Sequence, residues 1–296
     1  MNIEEIAENT YRLEESMSGD GRANAAYLIR GQESVIIEPG PAVAAPMIMD
    51  GMEKLGIETI SYIIPTHIHI DHGGGAGRLA ELLSEAIVVL HPASLRHMLD
   101  PSRLIQGTKV VFGDDFEVRL GPILPVPESQ VKVALDGEEI CAGDIRLKVI
   151  YTPGHAHHNI SIFDQNTRGL FCGEALGTPL RGFESYVLPG VAPPNFDITL
   201  YLESIEKQKR LEPRLLFYSH DGVGREVNEL ISSVVESTRI FGEVILQALK
   251  EGVPADAIGL RVAEHLSTLL DMKVGESGLS LIVNGYVFYF KQQGLV

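Results

Sequence analysis

The stretch Thr66-His67-Ile68-His69-Ile70-Asp71-His72, between the apolar run 61–65 and the triplet Gly73-Gly74-Gly75, decides how the rest of the chain is read. It places three imidazoles and one carboxylate within six residues. A helix would spread positions i, i+2, i+4 and i+5 over several faces, so a loop at a strand end is expected to gather them. Imidazole and carboxylate together form a ligand set for zinc, iron or manganese.

Three further residues follow expected strands in the same way. His155 comes after Thr152-Pro153-Gly154 and the strand 147–151, Glu174 after Phe171-Cys172-Gly173, and His220 after Phe217-Tyr218-Ser219. Layered α/β folds collect their sites at strand ends, so this succession points to one metal centre assembled from distant segments.

Working outward, 27–29 and 34–37 read as a hairpin, 86–90 and 215–218 as buried strands, and 160–163 with 169–172 as a second hairpin about Asp164-Gln165-Asn166. Apolar spacing predicts helices over 47–55 and 76–83, and over 198–211 behind an Asp197 cap. Residues 110–150, punctuated by Gly-Asp, Asp-Gly and Gly-Pro, read as a β meander, and the proline-rich 188–194 as irregular. Beyond residue 224 the texture turns helical over 227–250 and 256–270, whereas 279–293 has strand-like residues at helix-like length and is read as a helix. The expected domains are a catalytic part, 1–225, and a helical extension, 226–296.

The chain has 296 residues, 45% hydrophobic and 22% charged, which excludes a disordered or fibrous polymer. No charge-free run reaches the ~18 residues of a membrane span. The acidic start, Asn2-Ile3-Glu4-Glu5, lacks a secretory apolar region, so a soluble, cytoplasmic protein without membrane partners is expected. With 24 basic against 40 acidic residues the net charge is −16, which disfavours nucleic acid as a partner. Cys141 and Cys172 both sit in strand-like surroundings and are expected as free, buried thiols.

HIHIDH, then TPGH, then a strand-end acid, then SHDG resembles the metallo-β-lactamase superfamily over roughly residues 10–222. That resemblance implies an α/β fold, a four-layer αβ/βα sandwich with metals at one edge. It implies two divalent ions, zinc first with iron or manganese as alternatives. His67, His69 and His155 would hold one, Asp71, His72 and His220 the other, and Glu174 would bridge them. The family usually has Asp where Glu174 and Glu38 stand, so each carboxylate here has a longer arm. Glu38 is the natural residue to orient a ligand imidazole from behind. His157 and His158 resemble a GHxxHH pattern whose histidines lie near the substrate cleft. The helical extension resembles the lactamase β 2-like branch and could roof the cleft or form a homodimer.

The function so implied is hydrolysis of a small-molecule ester, thioester or lactone, with metal lowering the pKa of a bound water toward ~7. Asp71 would orient the nucleophile and shuttle its proton, and Tyr186 beside the 188–194 loop is a candidate oxyanion donor. A phosphodiesterase or endoribonuclease using the same two metals, or an iron-dependent sulfur dioxygenase, are the alternatives.

Overall fold

The apolar runs in the first half of the chain form one sheet whose central strands are buried on both faces. Its strands are β1 (Asn2–Ala7), β2 (Thr10–Ser16), β3 (Ala23–Ile29), β4 (Ser34–Ile37), β5 (Ile60–Ile64), β6 (Ile87–Leu90) and β7 (Val131–Val133), in that spatial order. β1 to β4 are an antiparallel meander, and β4 to β7 run parallel. Parallel neighbours need crossovers. These carry α1 (Ala45–Leu55), then α2 (Ile70–Gly73) and α3 (Ala76–Leu82), then α4 (Leu95–Leu99), α5 (Ser102–Phe112) and α6 (Phe116–Leu120).

Alternation along each strand sorts the side chains. Leu28, Ile36, Ile63 and Val88 pack with Ile48, Met52 and Leu79 of α1 and α3. Their neighbours Tyr27, Val35, Ile37, Ile64 and Val89 share the other core with a second sheet. That sheet comprises β8 (Glu139–Ala142), β9 (Ile145–Tyr151), β10 (Ile160–Asp164), β11 (Gly169–Gly173), β14 (Leu215–Tyr218) and β15 (Val223–Gly224), ordered β15-β14-β11-β10-β9-β8. It contributes Leu147, Val149, Ile162, Phe171 and Phe217 to the shared core. The Tyr27 ring lies 5.1 Å from Phe171, edge to face, and Phe171 lies 4.6 Å from Phe217. Burial on both faces is why these strands read as nearly continuous apolar runs.

The computed structural model describes residues 2–16, 23–271, 273–275 and 278–296. The chain divides into two compact units, and the layers above are the first: Met1–Tyr151, His158–Gly173 and Leu211–Val227. The second comprises Thr152–His157, Glu174–Arg210 and Asn228–Val296. It contains a small hairpin, β12 (Thr178–Leu180) with β13 (Phe183–Leu188), and the helices α7 (Ile198–Lys209), α8 (Val227–Lys250), α9 (Ala255–Leu270) and α10 (Leu279–Gln292). Tyr286 of α10 is fully buried, 5.1 Å from the Phe196 ring, and its hydroxyl donates to Thr238 O of α8 at 2.7 Å. The ambiguous 279–293 segment is therefore a helix, with Ile282, Val283, Tyr286, Val287 and Phe290 buried at helical spacing.

Three local expectations need correction. The meander begins later than residue 110, because α5 and α6 occupy 102–120. Leu104, Ile105 and Phe112 pack with Phe116 and Leu120 around Ile70, whereas Val110, Val111 and Val118 stay exposed. The β-branched residues suggested a strand, but the apolar stripe that packs is helical. Cys141 is exposed, since in β8 its neighbours Ile140 and Ala142 face inward. Finally, the histidine cluster is a loop only as far as His69, after which Ile70–Gly73 forms one helical turn.

Candidate metal centre

The first unit gathers its chemistry where β5 gives way to α2. The His69 carbonyl accepts from His72 N at 3.0 Å and Gly73 N at 2.8 Å, closing the turn that sets Asp71 beside His72. Asp71 Oδ2 lies 3.5 Å from His72 Nε2 and 3.6 Å from Nε2 of His220, which follows β14. Asp71, His72 and His220 each offer a ligand atom, all within 4.8 Å of one another. That donor set, two imidazoles and a carboxylate at a buried strand end, suits a divalent ion. Upstream, the His67 ring lies 4.5 Å from His69 and 4.0 Å from His72.

Behind this cluster sits Glu38, 2% exposed, at the end of β4 with φ 57°. A non-glycine residue in that left-handed region is strained by about 1–3 kcal/mol, so the surroundings must hold it. They do so at three points. Glu38 Oε1 accepts from the hydroxyls of Thr66 (2.5 Å) and Ser219 (2.7 Å), and Oε2 lies 3.3 Å from His72 Nδ1. Thr66 and Ser219 immediately precede His67 and His220, so one buried carboxylate ties together three ligand-bearing segments. Glu38, His67 and His72 also lie within ligand distance of one another. The two hydroxyl bonds fix the Glu38 carboxylate beside the His72 ring, where it can orient that imidazole. Sequence reasoning anticipated Glu38 but gave Thr66 and Ser219 no role.

Gly173 explains how Thr66 fits. It ends β11 with φ 56°, where the register with β14 slips, and a Cβ there would collide with Thr66 Oγ1. Only glycine leaves room for the hydroxyl that reaches Glu38.

In the second unit, His155 and Glu174 meet directly: Nε2 and Oε2 are 3.0 Å apart, and His155 is 1% exposed. Helix α7 anchors both backbones. Asp197 caps the helix through Leu200 N at 3.0 Å and donates its own N–H to Gly154 O at 2.9 Å. Ser204 Oγ donates to Pro153 O at 2.6 Å. Gly154, at φ 133°, passes so close to α7 that a Cβ would collide with the Tyr201 backbone. Tyr201 then accepts from Gly190 N at 2.8 Å and donates to Glu174 O at 3.3 Å. Sequence reasoning missed this role of Tyr201, whose only signal is an aromatic residue early in α7.

Of the adjacent histidines, His157 is exposed, and His158 is buried with its ring 6.3 Å from His67 and 5.9 Å from His69. Cys172 is a core thiol: burial raises its pKa, and Sγ lies 3.4 Å from Phe217 O. Tyr186 lies in the second unit with its hydroxyl buried and without a hydrogen-bond partner among the described residues. Burial, then the charge of Glu236, push its pKa up to about 12, so it stays a protonated donor at neutral pH.

A family model described as the metallo-beta-lactamase superfamily matches residues 19–220. A metallo-beta-lactamase fold-containing protein of Sulfurisphaera tokodaii is 28% identical over 217 residues, covering 69% of this chain and 80% of its own. A hydroxyacylglutathione hydrolase of Idiomarina loihiensis is 29% identical over 142 residues, 48% of this chain and 41% of that enzyme. Among solved structures, a metallo-beta-lactamase family protein of Thermus thermophilus aligns with a TM-score of 0.71 over 98% of this chain and 95% of its own, at 20% identity. The likeness in fold therefore runs on through the C-terminal helices.

Proposed function

The chain belongs to the metallo-beta-lactamase superfamily, and from that membership we propose that it is a metal-dependent hydrolase of a small ester, thioester or lactone. The observation that carries the reading is the convergence of Asp71, His72 and His220 within 4.8 Å in front of a buried orienting carboxylate. In this reading Asp71, His72 and His220 hold one divalent ion. The resemblance to that superfamily would give the other to His67, His69 and His155, with Glu174 as the carboxylate ligand. Zinc is the expected metal. The ions supply an activated water and a charge that polarises the scissile group.

The chain's own residues do the rest. Glu38 keeps the His72 ring in one orientation. Asp71, whose side chain is 26% exposed, is open enough to accept a proton at its carboxylate from the attacking water and to aim that water. Acyl hydrolysis is favoured by the relative named as a hydroxyacylglutathione hydrolase. The net charge of −16 counts against RNA as the substrate.

Elemental analysis of the purified protein is expected to find two divalent ions per chain. A panel of thioester, lactone, phosphodiester and RNA substrates should show acyl hydrolysis that a chelator stops and added zinc restores. Turnover confined to phosphodiesters or RNA would overturn the reading.

Tyr186 supplies a sharper test. As an oxyanion donor, its loss in Tyr186→Phe lowers kcat by about 10²–10³. The same change removes a buried, unsatisfied oxygen, so the melting temperature is expected to hold or rise. Unchanged kcat in a stabilised variant would reduce Tyr186 to packing.

A further inference from the structure

Helix α2 is a single turn, so most of its carbonyls need partners from outside. The His69 and Ile70 carbonyls are taken by His72, Gly73 and Gly74 N–H groups. The Asp71 carbonyl would be next, paired with Gly75 N in a longer helix. Gly75 N instead turns away to Gly40 O, at 2.7 Å. The acceptor so released is met by Asn24, whose Nδ2 donates to Asp71 O at 3.0 Å.

Asn24 is also the residue of β3 that pairs across to the other half of the same site. Its backbone forms an isolated antiparallel bridge with His220, and the next residue, Ala25, donates its N–H to Ser219 O at 2.9 Å. One residue thus touches the segment carrying Asp71 and the segment carrying His220. These two segments stand far apart in sequence, and their side chains approach to 3.6 Å. Glu38 joins the same two segments at other points, the His72 ring and the Ser219 hydroxyl, whereas Asn24 takes the backbone of Asp71 itself.

The geometry points to Asn24 as a positioning residue that sets the spacing between Asp71 and His220, and so selectively tunes the ion those two hold with His72. This rests on the proposed reading of the metal centre. The side-chain amide contributes the link to Asp71, whereas the bridge to His220 is backbone and survives substitution. The two halves of the clamp can therefore be separated by mutation.

The test is a stepwise zinc titration of the metal-stripped full chain, comparing wild type with Asn24→Leu, which keeps the bulk without the donor, and with Asn24→Ala. His220→Ala, titrated in parallel, identifies which step belongs to the Asp71–His72–His220 ion. Both Asn24 variants are expected to weaken that step about 10–100-fold, the range found for groups that orient metal ligands. The other step and the melting temperature of the metal-free protein should stay as in wild type. Equal weakening of both steps together with a lower metal-free melting temperature would show a general structural role and overturn the assignment. Unchanged constants in both variants would overturn it as well. A wild-type chain that takes up fewer than two ions would instead overturn the reading of the centre, and this assignment with it.

Discussion

Replacing His72 by alanine is expected to release an ion and abolish turnover. His72 is the one ring that belongs to both ligand groups of the first unit, Asp71–His72–His220 and Glu38–His67–His72. One side of the imidazole faces Glu38 Oε2 at 3.3 Å and the other faces Asp71 Oδ2 at 3.5 Å. Removing the ring deletes a ligand and leaves a buried carboxylate facing a cavity. Loss of an orienting partner alone costs about 10–100-fold in affinity or activity, so loss of the ligand should exceed a hundredfold. The uncompensated side of Glu38 should also lower stability by about 1–3 kcal/mol. Metal counting, kinetics and thermal melting on one preparation check all three. Two retained ions with wild-type turnover would contradict the ligand assignment.

Truncation after Gly224 is the second change with a large expected effect. The 174–210 segment of the second unit leans on the helices that follow it. Val187 donates its N–H to Ser233 Oγ at 2.9 Å, and Ser237 Oγ donates to Val187 O at 2.6 Å. The Phe196 ring packs at a tilt against Tyr286, and Gly285 lets Val191 close against α10. Without α8 and α10, Val187, Val191 and Phe196 lose their cover, at about 1.5–3 kcal/mol each. That sum is comparable with the whole stability of a typical domain, ~5–15 kcal/mol. The same segment holds Glu174 through Tyr201, so the His155–Glu174 pair should be lost with it. The truncated chain is expected to aggregate or to bind less metal. A soluble, monodisperse and fully active fragment would show these helices to be dispensable.

Much of this was legible in the sequence where local signals were strong. The strand Leu215–Tyr218 and the helix Val227–Lys250 have the bounds that their apolar patterns indicate. The histidine cluster stood out as a candidate metal motif because its residues are adjacent in the chain and chemically unusual together. Where sequence reading failed, the deciding contact lay elsewhere. Val110 and Val111 look like strand residues until Ile70 is seen to recruit Leu104, Ile105 and Phe112 into a helical stripe. Cys141 shared the apolar texture of its strand, and only the phase set by Ile140 and Ala142 put it outside. Thr66, Ser219, Asn24 and Tyr201 were silent for another reason. A hydroxyl or amide carries no signature of its own, and its role exists only once a distant partner is in reach.

That distance has a consequence for how the protein is made. Glu38 near the start of the chain is bonded to Ser219, 181 positions later, and Tyr27 donates to Tyr218 across 191. Contacts so remote must await most of the polypeptide, which slows folding and prolongs exposure of unpaired strands. A nascent chain arrested before His220 owns the whole HIHIDH motif and still lacks the partners that shape it. During synthesis, then, the histidines emerge long before their setting does, and metal captured at that stage would be held by a flexible peptide.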